Sequence, residues 1–214
     1  SFFPTITSGP IQRSKKFLPQ IHQRNLPSFK EVQSAVVMFM WGACLKMILA
    51  DRLALFTNTV FGAHTNYEGW ILIICALAYS IQIYADFSAY SYMAIAISRL
   101  FGFKLDDNFR QPYLALTISD FWRRWHISLT SWFTDYIYIP LGGNRRGVLR
   151  TYVNIAIVFL VSGLWHGAGW SFIVWGGIHA VYQIVGRLTK PSREKLCNRI
   201  GINRNTVGYR LWQR

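Results

Sequence analysis

Charge is what this sequence has least of. Only 15% of its 214 residues are charged, where about a quarter is usual for a soluble domain. Acidic residues are the scarcest: nine Asp and Glu stand against 23 Lys and Arg, a net charge of +14 at pH 7. Cysteine is also rare. Cys44, Cys75 and Cys197 show no CxxC spacing, and the first two lie inside apolar stretches, where a thiol behaves as a small hydrophobe. Neither a disulfide framework nor a zinc site is expected. No GxSxG or HExxH segment occurs and the histidines are far apart, so nothing points to a serine triad or a bound metal.

Apolar residues fill the space that charge leaves. They make up 52% of the chain, with 16% aromatic, and they come in long blocks with basic residues between them. That is the pattern of a multi-spanning membrane protein. A basic excess also suits nucleic acid when it lines one polar surface. Here eight of the 23 basic residues follow residue 186, five lie within residues 1–30, and most others fill short connectors. The aromatics sit inside the apolar runs, so the bilayer is the expected environment and nucleic acid is not an expected partner.

Along the chain, residues 1–31 are mixed, and Pro4, Pro10, Pro19 and Pro27 break any long helix. Residues 34–61 form the first apolar block, interrupted by Lys46, Asp51 and Arg52. It reads either as one span with a snorkelling end or as a span followed by an interfacial helix. Residues 70–98 are the clearest span, longer than the ~20 apolar residues that cross the hydrocarbon, with Asp86 near the middle. Residues 114–139 carry Asp120, Arg123, Arg124, His126 and Asp135, too much charge for a lipid-facing span. They are expected to form an interfacial or re-entrant helix. "LGGNRRG" (141–147) reads as a tight turn, and 151–164 with 168–186 as a final apolar pair. The expected fold is therefore all-α: a multi-pass transmembrane helical protein with interfacial or re-entrant helices. The basic connectors place 1–31, 99–113, 140–150 and 187–214 in the cytoplasm, and 62–69 and the turn at His166 on the far side. A helix from Thr151 to His166 covers roughly 24 Å, which leaves His166 below the far surface.

An ionisable group at membrane depth is costly and is by default a candidate for function. Three residues qualify: Asp86, His126 and His166. His166 lies in "SGLWHGAGW". An imidazole stays neutral in an apolar site and still accepts a proton, which suits a general base acting on an alcohol. Gly163, Gly167 and Gly169 allow close approach, and Trp165 and Trp170 supply flat apolar walls. The residues leave open a plainer reading, a helix-hairpin turn whose histidine bonds a carbonyl. His126, in "FWRRWHISL", follows Arg123 and Arg124, whose guanidinium forks match phosphate and carboxylate. The alternative there is an amphipathic helix with its arginines in water. Asp86 is expected to pair with a buried arginine or to accept hydrogen bonds from Ser88 or a neighbouring helix, a structural role. His179 reads as a satisfied helix histidine.

Several longer stretches carry a resemblance. "FFPTITSGPIQRSKKFLPQI" (2–21), "YADFSAYSYMAIAISRLFGF" (84–103), "NFRQPYLALTISDFWRRWHISLTSWFTDYIYIPLGGNRRG" (108–147) and "SGLWHGAGWSFIVWGGIHAVY" (162–182) together resemble the membrane-bound O-acyltransferase (MBOAT) family. The likeness is to the bacterial branch that includes the alginate O-acetyltransferase membrane subunit. It covers most of residues 2–188 in the family's order. The resemblance implies transfer of an acyl group, acetyl in the first instance, from a cytoplasmic thioester such as acetyl-CoA to hydroxyls of an exported polysaccharide. Acetyl-CoA would be a donor substrate, with no bound cofactor.

The family's "WHG" histidine matches His166, the implied catalytic base, and its second polar position matches His126. By this likeness His126 orients the donor or stabilises the oxyanion, while Arg123 and Arg124 steer the donor's phosphates. Trp165 and Asp86 are further candidates for substrate contact. The implied setting is the inner cell membrane, with periplasmic or extracellular acyl-transfer proteins as partners.

The family stretch "DFSGYSDMAIG" reads "DFSAYSYMAIA" here, with Ala89, Tyr92 and Ala96 at the differing positions. Family members carry further spans upstream of "FFP" and another segment downstream. Residues 1–188 are accordingly expected to be an acyltransferase domain lacking its N-terminal spans and inactive alone, and 189–214 a basic cytoplasmic tail. Other readings are D-alanyl transfer to teichoic acid or peptidoglycan O-acetylation on the same scaffold, or a non-enzymatic transporter or scaffold component.

Overall fold

The first apolar block folds as one continuous helix, not as a span with a separate interfacial piece. In the computed structural model, which describes residues 2–6, 9–23 and 26–199, α2 (Phe29–Cys44) passes through a π-helical stretch, Leu45–Ala50, into α3 (Asp51–Gly62). The start is fixed by a capping box: the Ser28 N–H donates to the Glu31 carboxylate at 2.8 Å, and the Glu31 N–H donates back to Ser28 Oγ at 3.4 Å. Ahead of it lie a 3-10 turn, Phe3–Thr5, and a short helix, α1 (Ser14–His22), which carries Pro19. The expected clearest span is α4 (Gly69–Leu100), 32 residues long. The chain divides after Asn108 into two compact units, and these helices belong to the first.

Small residues make the contacts inside this unit. The buried positions of α4 include Ala85, Ser88, Ala89, Ser91, Ala94 and Ala96, while Trp70, Ile73, Ile74 and Leu77 point outward. A soluble protein would bury the large side chains. In lipid there is no hydrophobic gain from doing so, and helices associate where small residues let backbones approach. Gly42 shows how close that approach is: a Cβ there would lie 2.8 Å from Met93 Cγ and 2.9 Å from the Ala89 carbonyl oxygen.

Asp86 pairs across this contact. Lys46 Nζ, on the π-helical stretch, lies 2.7 Å from Asp86 Oδ1 and 2.8 Å from Asp51 Oδ1. The partner is thus a part-exposed lysine from the preceding helix and not the buried arginine expected. Ser88 Oγ donates to the Ala85 carbonyl instead of to Asp86. One ammonium offsets two carboxylates within helices of spanning length, so removing it leaves two charges without a counter-ion. Lys46→Met is therefore expected to destabilise the folded protein by up to about 2.5–3.5 kcal/mol, the insertion cost of one unpaired charge, and to lower its abundance in membranes. Adding Asp86→Asn should recover part of the loss, since Asp51 stays charged. Membrane abundance and thermal stability in detergent check this, and equal abundance of parent and Lys46→Met would overturn it.

The second unit holds α5 (Ile118–Arg124), α6 (Ile127–Phe133), a π-helical turn at Thr134–Tyr138, α7 (Val148–His166), α8 (Trp170–Leu188) and α9 (Lys190–Arg199). The "LGGNRRG" turn is held by the amide of α7: Asn154 Nδ2 donates to the carbonyls of Leu141 at 3.3 Å and Gly143 at 2.9 Å. Gly142 and Gly143 have φ of 102° and 56°, backbone that glycine adopts without strain.

α7 begins at Val148, earlier than the Thr151 expected, and its 19 residues rise roughly 28 Å. α7 and α8 form a hairpin whose backbones touch. A Cβ on Gly163 would collide with the Phe172 carbonyl oxygen, and one on Gly176 with that of Phe159. Among the described residues, helices Phe29–Gly62, Gly69–Leu100 and Val148–His166 are long and apolar enough to cross a membrane. No strand occurs among the described residues. Of the expected basic tail, residues 200–214 lie outside the described residues.

Candidate active site

The charged stretch 114–139 breaks where its histidine stands. Thr117 caps α5 by accepting the Asp120 N–H at 3.0 Å, and α5 ends at Arg124. Trp125 is extended, and His126 takes a left-handed conformation (φ 44°, ψ 55°) before α6 begins. For a side chain larger than glycine this costs about 1–2 kcal/mol. The neighbours hold it there. The Thr130 N–H donates to the His126 carbonyl at 3.0 Å, Thr130 Oγ1 donates to the Trp125 carbonyl at 3.3 Å, and the Trp125 ring stacks on Phe121 at 5.5 Å. His126 is 6% exposed.

That turn separates two demands on one residue: a ring of the right chemistry and a backbone that accepts positive φ. Asparagine enters the left-handed region readily and β-branched residues do not. His126→Asn should therefore keep a thermal-unfolding midpoint near the parent's, whereas His126→Val should lose about 1–2 kcal/mol. Equal midpoints for the two variants would show that the turn does not constrain this position.

His166 is the last residue of α7. Its ring lies 4.9 Å from Trp165, 5.1 Å from Trp175 and 6.4 Å from Phe172. Trp165 also faces His126, at 6.1 Å, so one indole lies against both histidines. Both histidines line one chamber of about 330 Å³, walled by apolar side chains that include Leu129, Phe133, Val158 and Phe159. Burial, with His166 nearby as a lesser cause, pushes the His126 imidazole down to about 4. His126 is thus neutral at pH 7, donating through one ring nitrogen and accepting through the other.

A second, larger cavity of about 990 Å³ gathers Arg123, Arg187, Lys190 and Arg193, with Asp120 as the one acid among its lining residues. Asp120 is held by Arg124 at 3.0 Å, and that guanidinium keeps the carboxyl below its ordinary range. The arginine pair of the sequence is thereby split. Arg123 lines both cavities, whereas Arg124 is committed to Asp120 and lines neither. Ser119, Arg123, Gln183 and Arg187 line both cavities, so a basic vestibule adjoins an aromatic chamber with two histidines. Asp86 lies in the other unit with Lys46 and Asp51.

Sequence reasoning missed Gln183 and the vestibule cations of α8 and α9. The signal was there: Gln183, Arg187 and Lys190 recur at helical spacing. His179 is wrapped by Trp175 at 4.6 Å and Trp122 at 5.0 Å. Its Nδ1 is buried without a hydrogen-bond partner, so the ring is packed but that nitrogen is not satisfied. No group of three or more potential metal ligands occurs among the described residues.

Comparison with known proteins finds relatives over most of the chain. Residues 1–199 match the model of the membrane-bound O-acyltransferase family. The chain is 41% identical over 201 residues to the "Probable alginate O-acetylase AlgI" of Pseudomonas putida, covering 90% of this chain and 40% of that protein. It is 42% identical over 197 residues to the peptidoglycan O-acetyltransferase of Helicobacter pylori, covering 91% and 37%. It is 32% identical over 199 residues to the teichoic acid D-alanyltransferase of Streptococcus thermophilus, covering 86% and 48%. The chain thus spans between a third and a half of the length of these relatives.

Proposed function

The chain belongs to the membrane-bound O-acyltransferase family, and from that premise we propose that it carries the acyl-transfer site of a polysaccharide O-acetylating enzyme. In this reading residues 1–188 are the acyltransferase domain and 189–214 a basic cytoplasmic tail of a multi-pass inner-membrane protein. The donor is a cytoplasmic thioester, acetyl-CoA, and the acceptor a hydroxyl of an exported, alginate-like polymer. The observation that carries the reading is the junction of the basic vestibule with the chamber that holds both His126 and His166.

The chemistry follows from what each part offers. Arg123, Arg187, Lys190 and Arg193 suit the phosphates of the donor. A thioester whose carbonyl lies between the two histidines meets the acceptor hydroxyl in the geometry that transfer needs. His166 removes the hydroxyl proton as the oxygen attacks the thioester carbonyl, and an N–H of neutral His126 donates to the oxyanion that forms. Collapse expels the thiolate, which takes the proton from His166, giving an ester and a free thiol. Both protein groups end as they began.

The peptidoglycan O-acetyltransferase and teichoic acid D-alanyltransferase relatives support a second reading, the same chemistry with a cell-wall polymer as acceptor. Either acceptor implies partner proteins on the far side of the membrane. The test uses membranes containing the full-length protein, supplied with labelled acetyl-CoA. Label in the exported polymer supports the reading, and fractionation of that polymer identifies the acceptor. Absence of label in any polymer overturns it.

A further inference from the structure

Where the vestibule meets the chamber, one hydrogen bond crosses the opening. Ser119 Oγ, from α5, donates to Gln183 Oε1, from α8, at 2.7 Å. Both residues line both cavities. Gln183 is 8% exposed, and its Nε2 makes only a long 3.4 Å contact with the Ile118 carbonyl. A primary amide offers two N–H donors and two lone pairs. Ser119 occupies one lone pair and Ile118 one donor weakly, so a donor and an acceptor remain at the neck. Arg123 and Arg187 beside it supply only donors.

We propose that Gln183, set by Ser119, binds the polar mid-section of the donor, the amide and neighbouring hydroxyl groups of a pantetheine arm. A group that both donates and accepts is the complement of a secondary amide. Arginine answers a phosphate but cannot accept from an amide N–H. The neck thus reads the arm, the vestibule cations read the phosphates, and the histidines act on the thioester. Gln183 is a positioning residue, since it holds the arm and does not touch the reacting carbonyl. The inference rests on the acyl-transfer reading above, and adds to it a preference for pantetheine thioesters over thioesters of simple thiols.

The test measures kcat and KM for acetyl-CoA and for acetyl-pantetheine, which lacks the nucleotide, with the full-length protein in membranes. Gln183→Met keeps the length and packing of the side chain and removes its polar atoms. KM is expected to rise about five- to tenfold by the same ratio for both donors, with kcat within about twofold. Ser119→Ala, which leaves the amide in place but unset, should raise both KM values by about threefold, and it carries the test should Gln183→Met fail to accumulate. An unchanged KM in the variant that accumulates, or a loss of kcat at constant KM, makes the pair a packing contact and overturns the inference while leaving acyl transfer standing. A KM effect on acetyl-CoA alone places the contact on the nucleotide half and overturns it as well. No transfer by the parent overturns both this inference and the reading beneath it.

Discussion

His166→Ala in the full-length protein is expected to lower acetyl transfer by about 10²–10⁴-fold, the range for loss of a positioned general base, at unchanged membrane abundance. The abundance matters because His166 ends α7 and is not a core residue. Its ring lies among Trp165, Phe172 and Trp175, so truncation removes ring contacts without opening the α7–α8 seam at Gly163 and Gly176. The chemical loss should therefore greatly exceed the structural one. Incorporation of labelled acetyl per unit of membrane protein measures it. Retained transfer would make "WHGAGW" a packing turn, and the proton would then need another acceptor in the chamber, with His126 the first to test. Loss of transport without loss of acyl chemistry would favour a transporter.

The legibility of this molecule in its sequence follows the physics of each signal. Spans are read from long apolar runs, a property of contiguous residues, so 70–98 anticipates Gly69–Leu100 closely. The interruption at Lys46, Asp51 and Arg52 left the first block ambiguous. One helix accommodates all three because a π-helical stretch carries Lys46 to Asp51 and Asp86. That pairing joins residues forty apart, and no local pattern announces it. The break at His126 was hidden for a different reason. Positive φ is signalled by glycine, and here a histidine takes it under tertiary constraint. Arg187, Lys190 and Arg193 were visible as charge but were read as part of the basic tail. Composition gives their sign, and only the fold puts Arg123 with Arg187, Lys190 and Arg193 around one opening. The two histidines were named individually from the sequence, whereas their common chamber is built jointly by α5, α6, α7 and α8.

Gly163→Ala is the substitution expected to cost most stability for the fewest atoms. Its one added carbon would collide with the Phe172 carbonyl oxygen, and that obstacle is backbone, with no rotamer to swing aside. α7 and α8 must separate, and Gly176, whose Cβ would meet the Phe159 carbonyl, loses its contact in the same movement. Overpacking of this kind costs about 1–3 kcal/mol in a well-packed core, occasionally more, and the upper end is expected here. Activity should fall with it, because Phe172 and Trp175 on α8 flank His166 and move away from α7 as the seam opens. Gly177 provides the control on the same helix. Nothing lies within 4 Å of a Cβ there, so Gly177→Ala should hold the parent's unfolding midpoint or raise it slightly, as alanine does for glycine inside a helix. Thermal unfolding in detergent and acetyl transfer in membranes, run on both variants, decide the matter. Equal midpoints for Gly163→Ala and Gly177→Ala would mean that the hairpin yields without loss. Close backbone contact would then not be what holds the wall of the chamber against His166.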